Sequence, residues 1–208
     1  MKLTRLPIFL GLFTVTLLGA GIFAVFYDPP VRARGDVTLG PESASVVVIE
    51  LADFRCRFCQ ELSVGAVQQL IDEFVTPGHV QLRFQHLPIL GPASVEAAEA
   101  SECAAAQGQF WEFYDYIYGN WGTDVFGNLN LKRVAGEIEL DTRDFNRCLD
   151  THKMLRYVEA DQAEAEALGF NQTPIIVIGN KVLIGLREYD EYRTVIREEL
   201  AAAGVAVN

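Results

Sequence analysis

The sequence is poor in positive charge: 17 lysines and arginines stand against 28 aspartates and glutamates, a formal net charge of −11. A phosphate backbone is bound by basic surfaces, so nucleic acid is excluded as a partner. No internal repeat or low-complexity stretch is present, and half of the residues are hydrophobic, a globular composition rather than a disordered one. Histidine is scarce, and His79, His86 and His152 show no ligand spacing. Cysteine is scarce too: Cys56 and Cys59 make one close pair, while Cys103 and Cys148 stand alone. A structural zinc site wants four ligands, usually as two close pairs, so neither a metal nor a cofactor is expected.

What is there begins with an apolar run. Leu6 to Tyr27 is 22 residues without a charge, preceded by Lys2 and Arg5. As a helix it would be about 33 Å long, against a hydrocarbon core of roughly 30 Å. One N-terminal transmembrane helix is therefore expected over residues 1–27. A cleaved secretory signal, cut near Gly19–Gly21, is the alternative. No cysteine follows the run, so a lipoprotein anchor is excluded. Either way residues 28–208 cross a membrane. Arg32 and Arg34 on the far side leave the charge rule nearly silent about direction. An even number of cysteines in an exported chain favours an oxidising, extracytoplasmic compartment, periplasmic or extracellular.

Residues 28–45 hold Pro29, Pro30, Gly35, Gly40 and Pro41, linker and turn chemistry with room for a short strand at Val37–Leu39. Val46–Leu51 reads as a strand buried on both faces, Gln60–Phe74 as a helix stopped by Pro77-Gly78, and Val80–Phe84 as a second strand. Strand–helix–strand of this length builds a parallel pair by a right-handed crossover. Residues 91–168 change to helical patterns: Ser94–Ala106, Gln109–Tyr118, Leu131–Gly136 and one long helix from Thr142 to Ala167. The chain then returns to strands at Pro174–Ile178 and Val182–Ile184 around Gly179-Asn180-Lys181, and closes on a helix, Tyr189–Ala203. This order is an α/β thioredoxin fold, parts 46–90 and 169–208, with a helical insertion at 91–168.

Cys56-Arg57-Phe58-Cys59 lies between a buried strand and the start of a helix. Helix N-termini offer free N–H groups and positive potential to the first sulfur, which suits a redox pair. Arg55 and Arg57 flank Cys56 and are expected to favour its thiolate further; Phe58 completes the tuning dipeptide. Thr173-Pro174 opens an apolar strand, where proline belongs at an edge or a cis turn. A cis bond there would place Thr173 against Cys56, its backbone free to take up a substrate strand. Glu50 stands six residues before Cys56 among apolar neighbours, so burial should raise its pKa and fit it to exchange a proton with Cys59.

Three stretches together resemble the DsbA-like branch of the thioredoxin superfamily: Leu39-Gly40 through Glu50-Leu51-Ala52-Asp53-Phe54 to Cys59, Gln107-Gly108-Gln109-Phe110-Trp111-Glu112-Phe113, and Gly169-Phe170-Asn171-Gln172-Thr173-Pro174. The resemblance runs from about residue 36 to the C-terminus. It implies that Cys56 forms the mixed disulfide, Cys59 resolves it, Thr173 contacts substrate before a cis Pro174, and Glu50 assists proton transfer. It implies exported protein thiols as substrates and a membrane redox partner that resets Cys56–Cys59. Many relatives carry proline or histidine between the cysteines where this chain has Arg57-Phe58, so oxidising strength does not carry over.

The expectation is a thiol–disulfide oxidoreductase working as a dithiol oxidase. The alternatives are a reductase or isomerase using the same residues, or, in another class, a membrane-tethered metal or peptide carrier. Cys103 and Cys148 are expected to form a structural disulfide; the other reading is a second redox pair relaying electrons. The aromatic cluster from Phe110 to Trp121 suits helix packing better than a peptide groove. Asn171-Gln172-Thr173 matches a glycosylation sequon, but a glycan there would block the site, so the match is read as coincidence.

Overall fold

Glycine is required where the chain turns out of the first strand: a side chain at Gly40, φ 95°, would meet the Val80 carbonyl oxygen at 2.7 Å. The computed structural model describes residues 37–206. The apolar segment Leu6–Tyr27 lies outside the described residues, and among those described no helix is long and apolar enough to cross a membrane. Strand β1 is Thr38–Leu39 and β2 is Val46–Ala52, whose β-branched run suits a pleated, two-sided environment. A continuous helix follows, α1, opening at Arg57–Leu62; its stretches Ser63–Val67 and Ile71–Val75 are wound as π-helix around Gln68–Leu70.

Val80–His86 forms β3, parallel to β2 with Val48 opposite Leu82 and Glu50 opposite Phe84. After the insertion, β4 (Ile175–Ile178) and β5 (Lys181–Ile184) make a hairpin. Among the described residues the sheet order is β1-β3-β2-β4-β5, and only the β2–β3 pair is parallel. The last helix of the chain, Tyr189–Ala202, buries Tyr192, Ile196 and Leu200 with Leu62 and Phe74 of α1 against Val46, Val48, Ile176 and Ile178.

The insertion supplies α2 (Pro92–Ala105), α3 (Phe110–Gly119), α4 (Asn128–Glu137), α5 (Thr142–Asp150) and α6 (Leu155–Ala167); the last helix is α7. Its core is one cluster that runs on into the thioredoxin unit, from Phe110, Phe113 and Phe145 to Phe54, Phe84, Cys56 and Cys59. The aromatic run is thus mainly core, with Trp111, Tyr116 and Trp121 half-buried at its margin.

The single helix expected over Thr142–Ala167 is two. The Thr151 hydroxyl donates to the Arg147 carbonyl at 2.7 Å, His152 turns left-handed at φ 49°, and Lys153 N–H closes on the Cys148 carbonyl at 3.1 Å. Apolar periodicity continues across this turn, so the break is invisible in the sequence. The turn buries Met154 and lets α6 double back to place Ala165 against Leu51 and Ile175. Asp141 caps α5: its carboxylate accepts from the Arg143 and Asp144 N–H groups, both at 3.0 Å.

Candidate active site

Cys56 is the residue from which α1 springs, with extended dihedrals of −80° and 121°. The turn before it is held from several sides. Asp53 is buried; one carboxylate oxygen accepts from the Arg55 N–H at 2.8 Å, the other from the Leu90 N–H at 2.9 Å. The Asp53 carbonyl accepts from the Cys56 N–H at 2.9 Å and the Tyr118 hydroxyl at 3.4 Å. The Trp121 indole N–H caps the Phe54 carbonyl at 3.0 Å. The position of Cys56 is therefore fixed as much by the insertion as by the sheet.

The two sulfurs of the pair are not equivalent. Cys56 is lowered from an ordinary 9.0 to about 6, first by a hydrogen bond from the Cys59 thiol, against burial, then by Thr173 and the backbone N–H groups of Cys59 and Phe58. Cys59, fully buried, is pushed well above its ordinary value, chiefly by burial and then by Cys56. One sulfur is thus an anion near neutral pH and the other a held thiol. Phe58 between them is 56% exposed.

The Thr173–Pro174 bond is cis, and the Thr173 carbonyl lies 3.7 Å from Cys56 Sγ, a contact across 117 residues of chain. Glu50, on β2, has no exposed surface. Burial raises its pKa from 4.5 to about 8, tempered by the Tyr114 hydroxyl, which donates to Oε2 at 2.9 Å. Its Oε1 has no hydrogen-bond partner among the described residues. Tyr118, whose own ionisation burial suppresses, is placed so that it feels the charges of both Cys59 and Glu50.

The arginines stand elsewhere than expected. Arg57 Nε donates to Glu61 at 2.9 Å, one turn along α1, with its side chain 74% exposed. Arg55 lies over the Phe126 ring, 5.8 Å from its centroid. The leading causes of the lowering at Cys56 are the neighbouring thiol, Thr173 and the helix-end N–H groups. A cation on a long solvated stem is screened and takes the nearest carboxylate, whereas backbone donors are fixed by the helix.

The family model described as Thioredoxin matches residues 32–198. The chain belongs to the thioredoxin family. Within it, this is a DsbA-like thiol–disulfide oxidoreductase. The probable disulfide bond formation protein D of Bacillus anthracis is 26% identical over 212 residues, 96% of this chain and 97% of that protein. The crystal structure of oxidised BdbD from Bacillus subtilis shares the fold at a TM-score of 0.75 and 23% identity, covering 83% of this chain and 96% of its own. The Na(+)/H(+) antiporter NhaA of Herminiimonas arsenicoxydans is 33% identical over 76% of this chain, which spans only 24% of the antiporter's length.

In this DsbA-like chain Cys103 on α2 and Cys148 on α5 are joined by a disulfide within the apolar cluster. Sequence reasoning gave no role at the site to Asp53, met only within the family stretch, or to Tyr114 and Tyr118, met only within the aromatic cluster. It also missed a buried group that the fold assembles from β3, α2 and α6. His86 Nε2 lies 2.8 Å from Glu102, the His86 N–H donates to Asp161 at 3.1 Å, and one ligand-type atom from each of the three lies within 4.8 Å of the others. Residues 75 positions apart cannot be paired by spacing alone.

Proposed function

We propose that the chain oxidises the thiols of exported proteins, donating its Cys56–Cys59 disulfide. The observation that carries this reading is the split between two adjacent sulfurs at one helix start, Cys56 near 6 and Cys59 far above 9. A substrate thiolate attacks Cys56 Sγ; the Cys56–Cys59 bond breaks, and Cys59 takes the electron pair and a proton. Glu50, whose carboxyl is half-protonated near pH 8, is the buried acid that supplies that proton. A second substrate thiolate then attacks the substrate sulfur, closing the substrate disulfide and releasing Cys56 as a thiolate. A low-pKa leaving group departs faster and makes the pair the stronger oxidant. Thr173, immediately before β4 and beside Cys56, receives the substrate backbone in extended form.

The relative from Bacillus anthracis, named for disulfide bond formation, supports this direction. In this reading Leu6–Tyr27 keeps the domain on the outer side of a membrane, and a membrane redox partner restores the Cys56–Cys59 disulfide.

The test is oxidation of a reduced two-cysteine peptide by the purified, oxidised protein, followed with iodoacetamide labelling of the reduced enzyme across pH. One peptide disulfide should form per enzyme disulfide consumed, and Cys56→Ser should form none. Labelling of Cys56 should be half-maximal near pH 6, with Cys59 untouched to above pH 9. Bound metal without thiol exchange would establish the carrier instead.

A further inference from the structure

Glu99, two turns into α2, is 2% exposed, yet its carboxylate is only half satisfied. Oε2 meets His152 Nδ1 at 2.8 Å, and Oε1 has no hydrogen-bond partner among the described residues. A buried carboxylate oxygen without a donor is costly, and the protein tolerates such a group mainly where something else completes it. Glu99 lies at the wall of a cleft of about 780 Å³ between α2 and α6. Two more carboxylates, Glu96 and Glu159, line the same cleft, and neither forms a hydrogen bond or salt bridge among the described residues. Pro92, Val95 and Leu155 supply apolar wall. Three carboxylates against one imidazole, beside apolar surface, fit a cationic head on an aliphatic stem.

The geometry narrows the cation. An imidazole can satisfy one oxygen of Glu99, as His152 does, while a guanidinium spans both. His152 is a removable cover: its side chain is 67% exposed against 3% for Glu99, and it sits on the left-handed turn between α5 and α6. The cleft is also tied to the reacting sulfur. Pro92 begins α2 two residues after Leu90, whose N–H is held by the Asp53 carboxylate, and the Asp53 carbonyl holds the Cys56 N–H. From Pro92 to Glu99 the helix rises about 10 Å, a span that an extended peptide crosses in roughly three residues.

We propose that this cleft is a second substrate contact, taking an arginine side chain of the polypeptide whose thiol reacts at Cys56. The inference rests on the oxidase reading for its substrate class, and its test separates the two. Fluorescence anisotropy with the full-length protein would compare cysteine-free peptides holding one arginine, lysine or citrulline. Arginine should bind about tenfold more tightly than citrulline, its neutral isostere, with lysine between them. In Glu99→Gln the three peptides should bind within about twofold of one another, and in the exposed variant Glu159→Gln the preference should narrow to about threefold. Melting of each variant guards against misfolding.

With two-cysteine peptides carrying an arginine about five residues from the first thiol, kcat/KM should follow the same order. Oxidation of dithiothreitol should be unchanged in both variants. Equal binding of the arginine and citrulline peptides to wild type, or a preference that survives both substitutions, overturns the cleft assignment. Failure to oxidise any dithiol would overturn the oxidase reading while the anisotropy still decides the cleft.

Discussion

The molecule holds two cysteine pairs made from the same atoms and put to opposite uses. Cys56 and Cys148 have the same residual exposure, 7% each, so burial does not distinguish them. Their surroundings do. Cys56 ends an extended turn and faces helix-end N–H groups and a thiol donor from Cys59, with the Thr173 carbonyl 3.7 Å from its sulfur. Cys148 sits within a helix and is bonded to a partner 45 residues away, inside an apolar cluster. Donors that stabilise an anion make a disulfide reactive; an apolar wall and a long closed loop make it a brace.

The largest test of this contrast removes the brace. Closing a 45-residue loop is worth about 4 kcal/mol by the loop-entropy account. Replacing Cys103 and Cys148 by alanine should lower the melting temperature by roughly 10 °C and leave peptide oxidation by Cys56–Cys59 within about threefold. Loss of oxidation in a folded variant would mean that the second pair relays electrons and that the contrast is false.

A smaller effect sharpens the electrostatic side. The Glu50 pKa is raised on folding, from 4.5 to about 8, so the native state favours its protonated form. The wild type therefore loses stability relative to a neutral side chain as pH rises through 4.5 to 8, and the loss levels off above 8. Glu50→Gln should match wild type at pH 4 and exceed it by about 2 kcal/mol at pH 6, read from urea melts at the two pH values. It should also slow exchange, because the buried acid is gone. Equal pH profiles would show that Glu50 is not a desolvated carboxyl.

The smallest effect is at Arg57. Because it pairs with Glu61 in solvent, Arg57→Ala should move the Cys56 titration by less than about half a pH unit, measured by thiolate absorbance. A shift of a full unit would return the arginine to the list of groups that set the nucleophile.

Much of this was readable in the sequence because its signals are local. The β-branched run Val46–Ile49, the Pro77-Gly78 stop and the hairpin at Gly179-Asn180 announce β2, the end of α1 and the β4–β5 turn by neighbouring residues alone. The proximity of Thr173 to Cys56 was expected from Pro174 at the head of an apolar strand, read as a cis turn, and the family resemblance implied the same. What stayed hidden depends on residues distant in the chain. Asp53 matters because Leu90 comes to it, and Tyr114 because α3 is laid across β2 at Glu50. The break at Thr151–Met154 was missed because the turn is paid for by burial of Met154 and the return of α6 to the sheet, not by any glycine or proline. The partners of Arg55 and Arg57 were hidden for a related reason: sequence adjacency says nothing about where a long side chain finds its partner.

The aromatic seam along α3 carries one more consequence. Tyr114 holds Glu50, Tyr118 holds the Asp53 carbonyl, Trp111 donates to the Thr38 carbonyl of β1 at 2.9 Å, and Phe54 and Phe84 stack on one another beside Tyr114. The insertion interrupts the thioredoxin unit in sequence yet shares its hydrophobic interior, so the two are not separable modules. Excising residues 91–168 would bare the aromatic wall behind the cysteines, strip Glu50 of its donor and loosen the turn that aims Cys56. Residues 37–206 should therefore melt in a single cooperative transition, and redox chemistry should disappear at the same temperature as the helical circular dichroism.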